Sequence, residues 1–364
     1  MKITYSLSKY LISSFMKWFL ITSGAVGFIF SLFDLMELFR RTSGKADVGI
    51  GLVIKIFLFR FPSYFQEILP FVLFFAAIIS FWRLNRSQEL LIIRASGVSI
   101  WQILAPLAGV ALLIGLVDLL VLNSFSAKLL EKATNLENKY IYQKQTPFSI
   151  SKNGFWLREI VKDHQIILHA THFDEKAQTL YNVNAYIFDE DDRFIERFDA
   201  KQALLKGEYL QLNHGWHLQK DGFPEQFKTY QLKTNLSVQS IQDSFLDPKT
   251  LTFYNLRSYG ALLETSGLSA TQYFMQWHAL LARCLWLAVM VLLAATFSMR
   301  PMRSGGTIKL IVAGISITFL LYFLRDITYA LGSSGNLPPL LAAWVPTLVT
   351  AFFATTKLLY SEDG

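Results

Sequence analysis

With 364 residues, 52% hydrophobic and only 17% charged, the chain is too apolar and too sparsely charged for an average soluble protein, which places it in a membrane. Its net charge of +7 does not mark a nucleic-acid binder, because residues 125–272 balance 17 Lys or Arg against 18 Asp or Glu and no basic stripe interleaves with aromatics there. The single cysteine, Cys284, lies in an apolar run, so the polar segment has no disulfide to form.

From the N-terminus, Lys2, Lys9 and Lys17 precede an apolar stretch that reaches about Leu35 without a small-residue cleavage site. That pattern predicts a retained first span, not a cleaved signal. A helix needs about 20 mainly apolar residues to cross about 30 Å of hydrocarbon. Spans are expected at 11–36, 52–82, 100–123, 274–299, 307–331 and 338–360. The second is long enough to tilt, or to kink at Pro62 or Pro70. Basic residues collect at the N-terminus, at Arg83, Arg86 and Arg94, and at Arg300, Arg303 and Lys309, which predicts that these three regions are cytoplasmic. Arg40, Arg41 and Lys45 then fall on the opposite side, where retained basic residues are candidates for contacting something acidic.

Residues 83–98 form a short amphipathic stretch, charged at one end and closed by Gly97, between spans two and three. It reads either as an interfacial connector or as a docking element for a cytoplasmic partner with Glu89 as an anionic contact. Ionisable residues within spans are costly and tied to pairing or to a wet path. Asp34, Glu67, Asp118, Arg283, Arg325 and Asp326 qualify, with Arg325 and Asp326 the best candidates for substrate contact or gating. Most lie near span ends, where snorkelling to the interface is the alternative.

Between about residues 146 and 236 short alternating runs replace the long apolar ones, at 155–161, 165–172, 180–188, 203–213 and 226–236. Short strands with polar connections predict a β-sandwich or jelly roll. In the run 180–188 the odd positions Tyr181, Val183, Ala185 and Ile187 form an apolar face, which is either a packed core or an open greasy groove. The flanks 126–143 and 256–271 read as helical. His164, His169, His172, His214 and His217 resemble ligand clusters, but a spacing of three on a strand points paired side chains to opposite faces and no cysteine joins them. No G-x-x-x-x-G-K-[ST] or G-x-S-x-G pattern occurs, so neither nucleotide binding nor a serine nucleophile is expected on this chain.

The sequence resembles the lipopolysaccharide export permease family LptF/LptG, also called YjgP/YjgQ. The resemblance rests on Phe61-Pro62 followed by Leu69-Pro70, then Ser87-Gln88-Glu89-Leu90 with Arg94-Ala95-Ser96-Gly97-Val98. Late in the chain, Gly314-Ile315-Ser316 and the run from Leu337-Pro338-Pro339 to Trp344-Val345-Pro346 are more similar to the LptG branch. It implies an ABC-type exporter in which this chain pairs with an LptF-like paralogue on an LptB-like ATPase dimer. That ATPase would bind the ATP, and no cofactor is expected here. The complex would lift lipopolysaccharide from the outer leaflet of the inner membrane toward LptC-like and LptA-like periplasmic jelly-roll proteins. The segment of about 84–98, with Arg86, Glu89, Arg94 and Gly97, corresponds to the family's coupling helix. Arg40 and Arg41 correspond to basic residues at the periplasmic end of the first span that meet lipid phosphates in the family, and Lys45 beside them is a further candidate for substrate contact.

The expectation is therefore an α+β membrane protein of the bacterial inner membrane, with six transmembrane helices in a three-plus-three plan and an inserted periplasmic β-jellyroll-like domain. Its parts are expected at 1–124, 125–272 and 273–364, with both termini cytoplasmic. A membrane scaffold or envelope assembly factor of the same topology is the alternative, and an integral membrane enzyme lacks a catalytic constellation.

Overall fold

Apolar runs of this length can satisfy their backbone groups inside a membrane only as helices, and the long runs fold that way. The structure, a computed structural model, describes residues 5–43, 48–142, 149–151, 154–161, 164–174, 177–189, 193–220, 222–234, 246–265, 268–298 and 307–362. The chain divides into two compact units, Met1–Tyr142 with Lys249–Phe253 and Phe274–Gly364, and Gln143–Pro248 with Tyr254–Tyr273.

The helical unit is built from α1 (Tyr5–Thr42), α2 (Ile50–Arg86), α3 (Glu89–Ala95), α4 (Ile100–Val117) and α5 (Asn123–Glu137). After the short helix α6 (Phe253–Thr265) come α7 (Thr271–Ser298), α8 (Thr307–Ser333) and α9 (Pro339–Glu362). Among the described residues six helical runs are long and apolar enough to cross a membrane: Tyr5–Thr42, Ile50–Arg86, Ile100–Tyr142, Thr271–Ser298, Val312–Ser333 and Pro339–Tyr360. The core lies where α1, α2, α4 and α7 meet, around Leu11, Phe15, Leu73, Phe81, Leu104 and Trp286. Both Pro62 and Pro70 sit inside an unbroken α2. At 37 residues this helix is about 56 Å long, well beyond the ~30 Å hydrocarbon layer.

The third apolar run does not stop where its hydropathy falls near residue 123. A π-helical turn, Asp118–Leu122, joins α4 to α5, and a second, Asn138–Tyr142, extends the helix to Tyr142. Ala133 and Ile141 pack with Leu38, Val53 and Ile56, and Arg60 Nη1 lies 3.1 Å from Glu137 Oε1. This helical flank therefore belongs to the helical unit, and the boundary expected at 124/125 falls instead after Tyr142.

The second unit holds one antiparallel sheet of β1 (Ser149–Ser151), β2 (Gly154–Val161), β3 (His164–Ala170), β4 (His172–Asp174), β5 (Thr179–Phe188), β6 (Phe194–Lys206), β7 (Tyr209–Gln219) and β8 (Glu225–Lys233). Its order is β1-β2-β3-β5-β6-β7-β8, with β4 also on β5. The jelly-roll-like domain is thus a meander, each strand paired mainly with its neighbours in sequence. The expected strand 203–213 is a hairpin instead: Lys206 pairs with Tyr209 across a two-residue turn whose Gly207 has φ +59°, a left-handed conformation suited to such turns. Alternation continues on both sides of so short a turn, so periodicity alone reads through it.

A line of irregularities crosses this sheet. Asn182 and His214 adopt left-handed φ of 50° and 53°, and the ladders skip there: Tyr181↔Gln202 is followed by Val183↔Ala200, and Asn213↔Gln202 by Gly215↔Ala200. The buried face changes parity along that line, from Leu180 to Val183, from Ala200 to Ala203 and from Leu212 to Gly215. Tyr181 therefore leaves the apolar face assigned to it, because the left-handed residue beside it reverses the alternation.

Candidate functional site

The α2–α3 corner is made by backbone conformation. Gln88, at φ 59°, interrupts the helical ladder, so residues 84–86 end α2 and the amphipathic stretch is reduced to the seven-residue α3. Leu90 anchors α3 in the helical core, whereas Leu91 and Ile92 are 63% and 67% exposed. Glu89 accepts a 2.6 Å hydrogen bond from the Tyr10 hydroxyl of α1. Arg86 stacks over Trp82, Arg94 lies in the last turn of α3, and Gly97 closes the corner at φ +84° with open space around it.

At the other end of α1, Arg40 and Arg41 are not two free cations. Both guanidiniums bind Glu37, with Nε–carboxylate distances of 2.8 and 2.7 Å, and Arg41 also donates to the Tyr142 hydroxyl at 3.1 Å. Helical spacing of i, i+3 and i+4 makes these pairs. Arg40 remains 76% exposed at its side chain, so it can still reach an anion. Lys45 lies outside the described residues. Arg60, unremarked in the sequence, stacks on and hydrogen-bonds Tyr64 one turn later, besides pairing with Glu137.

Within the helical unit a cavity of about 170 Å³ gathers Glu67, Lys249, Arg283, Tyr322, Arg325 and Asp326. The sequence-predicted pair Arg325 and Asp326 is thus brought together with three further charged groups, and Arg40 and Arg41 are not among its lining residues. Lys249 Nζ lies 2.6 Å from Glu67 Oε1, and Arg325 sits over the Trp286 ring. Beside it Asp118 is buried, taking a 2.7 Å hydrogen bond from Gln66 Nε2 and lying 3.6 Å from Arg283 Nη1. Ser126 donates to the same Gln66. Asp118 opens the π-helical turn, a deformation that re-aims side chains and recurs at functional positions. Lys249 was not foreseen, because it belongs by sequence to the polar segment.

In the sheet, Val183, Ala185 and Ile187 share a buried face with Leu168, Phe198 and Ala200. Among the described side chains that interior is filled, with Phe155, Phe173, Phe198, Leu180 and Leu210 fully buried. On the other face Arg197 donates to Asp199 at 2.8 Å, a bond that raises the guanidinium's pKa, whereas Tyr230 packs on Phe198 of the interior face, where burial raises the pKa of its hydroxyl. The histidines are engaged individually: His169 packs on Trp156, His172 on Tyr181, and His217 stacks on Phe198 with Nε2 2.8 Å from Glu196.

Comparison with known proteins agrees with this architecture. A family profile described as lipopolysaccharide export system permease LptF/LptG matches residues 9–360. The chain is 25% identical over 296 residues to the lipopolysaccharide export system permease protein LptG of Escherichia coli (strain K12), covering 79% of each protein. To the LptG of Haemophilus influenzae it is 22% identical over 314 residues, covering 85% of this chain and 86% of that one. With six membrane-competent helices, three before and three after the sheet domain in sequence, and a family match across nearly its whole length, the chain belongs to the LptF/LptG family of lipopolysaccharide export permeases, multi-pass proteins of the inner membrane.

Proposed function

We propose that this chain is the LptG-like half of an ABC-type lipopolysaccharide exporter, paired with an LptF-like paralogue on an LptB-like ATPase dimer. The observation that carries this reading is α3, a helix too short to stand alone that is anchored by Leu90 and leaves Leu91 and Ile92 open to a partner. A soluble ATPase needs such a projection in order to push on a membrane domain. Movement of α3 passes to the helical core through Leu90 and to α1 through the Tyr10–Glu89 hydrogen bond. In this reading α3 and both termini are cytoplasmic, and the sheet domain is periplasmic.

Arg40 and Arg41 then lie at the periplasmic end of α1, with Glu37 orienting both guanidiniums so that Arg40 can offer paired, charge-assisted bonds to lipid phosphate. Lys45 joins them as a further basic contact. Arg325 and Asp326 supply a charged wall deeper in the helical unit that responds to headgroup or gate movement. The sheet interior around Val183, Ala185 and Ile187 takes the acyl chains, and because it is filled by side chains it must part to do so. LptC-like and LptA-like proteins receive the lipid by edge-to-edge strand addition. ATP stays on the partner ATPase.

The test is Glu89→Lys in a complex reconstituted with its ATPase. Reversing the charge should lower lipid extraction about tenfold, the scale of one lost charge-assisted contact. Wild-type extraction and lipid-stimulated ATP hydrolysis in that variant, or failure of any ATPase to co-purify with the wild-type chain, would remove the coupling role.

A further inference from the structure

The outward face of the sheet carries an organised row of side chains that the proposed acyl path does not use. Trp156, His169, Asn184, Asp199, Trp216 and Gln226 are successive register partners across β2, β3, β5, β6, β7 and β8. At about 4.8 Å per strand, the two tryptophans stand about 19 Å apart. They are 38% and 51% exposed, on strands whose other face is buried and apolar. Where the ladders skip beside this row, Asn182 and His214 turn left-handed and the sheet bends. Over this line of skips lies a cleft of about 390 Å³ lined by Asn182, Asn184, Asp199, Lys201, His214 and Trp216, among others.

The chemistry of this lining is specific. Its volume falls within the range of about 300–1,000 Å³ typical of small-molecule sites, yet it is not a greasy pocket. It offers planar amides and a carboxylate, each able to bond two neighbouring hydroxyls at once. Arg197 bonds Asp199 Oδ1 at 2.8 Å and offsets its charge, which leaves Lys201 as the one lysine among the described lining residues, a single cation with no second beside it there to clamp a phosphate. An exposed indole face attracts the C–H-rich face of a pyranose, since the ring is negative above its plane and the C–H bonds are positive outward. An ordinary solvated sheet face would place Thr, Lys or Gln at such positions instead of two tryptophans on one cross-strand row.

We propose that this cleft binds an oligosaccharide, with Trp216 as a stacking platform, Asn184 and Asp199 as hydroxyl partners and Trp156 as the far end of the track. The site follows from the residues present. Only the source of the sugar, the saccharide part of lipopolysaccharide, rests on the proposed function. A permease that hides acyl chains on one face of its sheet would thereby hold the sugars on the other.

The experiment uses the full-length chain in lipid nanodiscs, titrated calorimetrically with lipid-free core oligosaccharide released from lipopolysaccharide by mild acid, and separately with maltotetraose. Wild type should bind the oligosaccharide, and Trp216→Ala should weaken it about tenfold while Trp216→Phe, which keeps an aromatic face, stays within about threefold. Tighter binding of the core oligosaccharide assigns the sugar to the exported lipid, and tighter binding of maltotetraose assigns it to free glycans; either supports the site. If Trp216→Ala shifts the unfolding midpoint, Trp156→Ala is read in its place, with the same loss expected. Binding of neither sugar, or equal affinity in wild type and the alanine variant, overturns the proposal. Normal lipid extraction alongside such a result would leave the export reading standing.

Discussion

Asp118 is the residue whose surroundings demand most explanation. A carboxylate that is 2% exposed at its side chain is costly at membrane depth, and here it is held by Gln66 and Arg283, with Ser126 fixing Gln66. Removing one member strands a buried charge, which typically costs about 3–5 kcal/mol, whereas replacing both by apolar groups is often neutral. Asp118→Leu alone should therefore destabilise the detergent-solubilised protein strongly, and Asp118→Leu with Arg283→Met should regain most of the loss. Denaturant unfolding of the single and double variants measures this, and additive losses would contradict the pairing. Both residues were visible in the sequence as charges inside apolar runs. Their partnership was not, because nothing local links a residue of the third span to one of the fourth. Arg40 and Arg41 show the converse: Glu37 stands at helical spacing from both, so that pairing was within reach of the i, i+4 rule.

Elements in the sheet domain were legible as alternation and misread wherever alternation broke. The hairpin at Gly207 and the parity change at Asn182 and His214 are set by left-handed backbone, which hydropathy does not record. Gly215 belongs to the same line: a Cβ there would lie 2.1 Å from the Asp199 carbonyl oxygen and 3.0 Å from Ala200 Cα. Gly215→Ala must push β6 and β7 apart at the bend, at a cost of about 1–3 kcal/mol. Limited proteolysis should show faster cleavage within residues 193–220 of that variant, and an unchanged pattern would mean that the bend yields freely. The helices were easier to place, since an apolar run of 20 or more residues has few alternatives to a helix in a membrane. Their ends were not, and α5 continues past the apolar run because hydrogen bonding and packing against α2 persist where hydropathy stops.

At the scale of the molecule, two compact units on one chain should fail separately. Val183 is fully buried beside Ala185 and Phe198, so Val183→Asp places an unpaired carboxylate in a filled interior, a penalty of several kcal/mol. The sheet domain of that variant should become protease-sensitive while the helices stay membrane-inserted. A folded, protease-resistant sheet domain would contradict a filled resting interior; parting of that interior when lipid is present is a separate property, read from lipid delivery. The sequence by itself determined the membrane class, the number of spans, the presence of a β-domain between the third and fourth, and the family, because each depends on composition, periodicity or motif order along the chain. Only the tertiary structure decided that Tyr10 holds Glu89, that Lys249 joins Glu67 beside Arg325 and Asp326, and that six residues from six strands form one outward row. Those juxtapositions depend on register and on helix packing, both set by contacts between residues far apart in sequence.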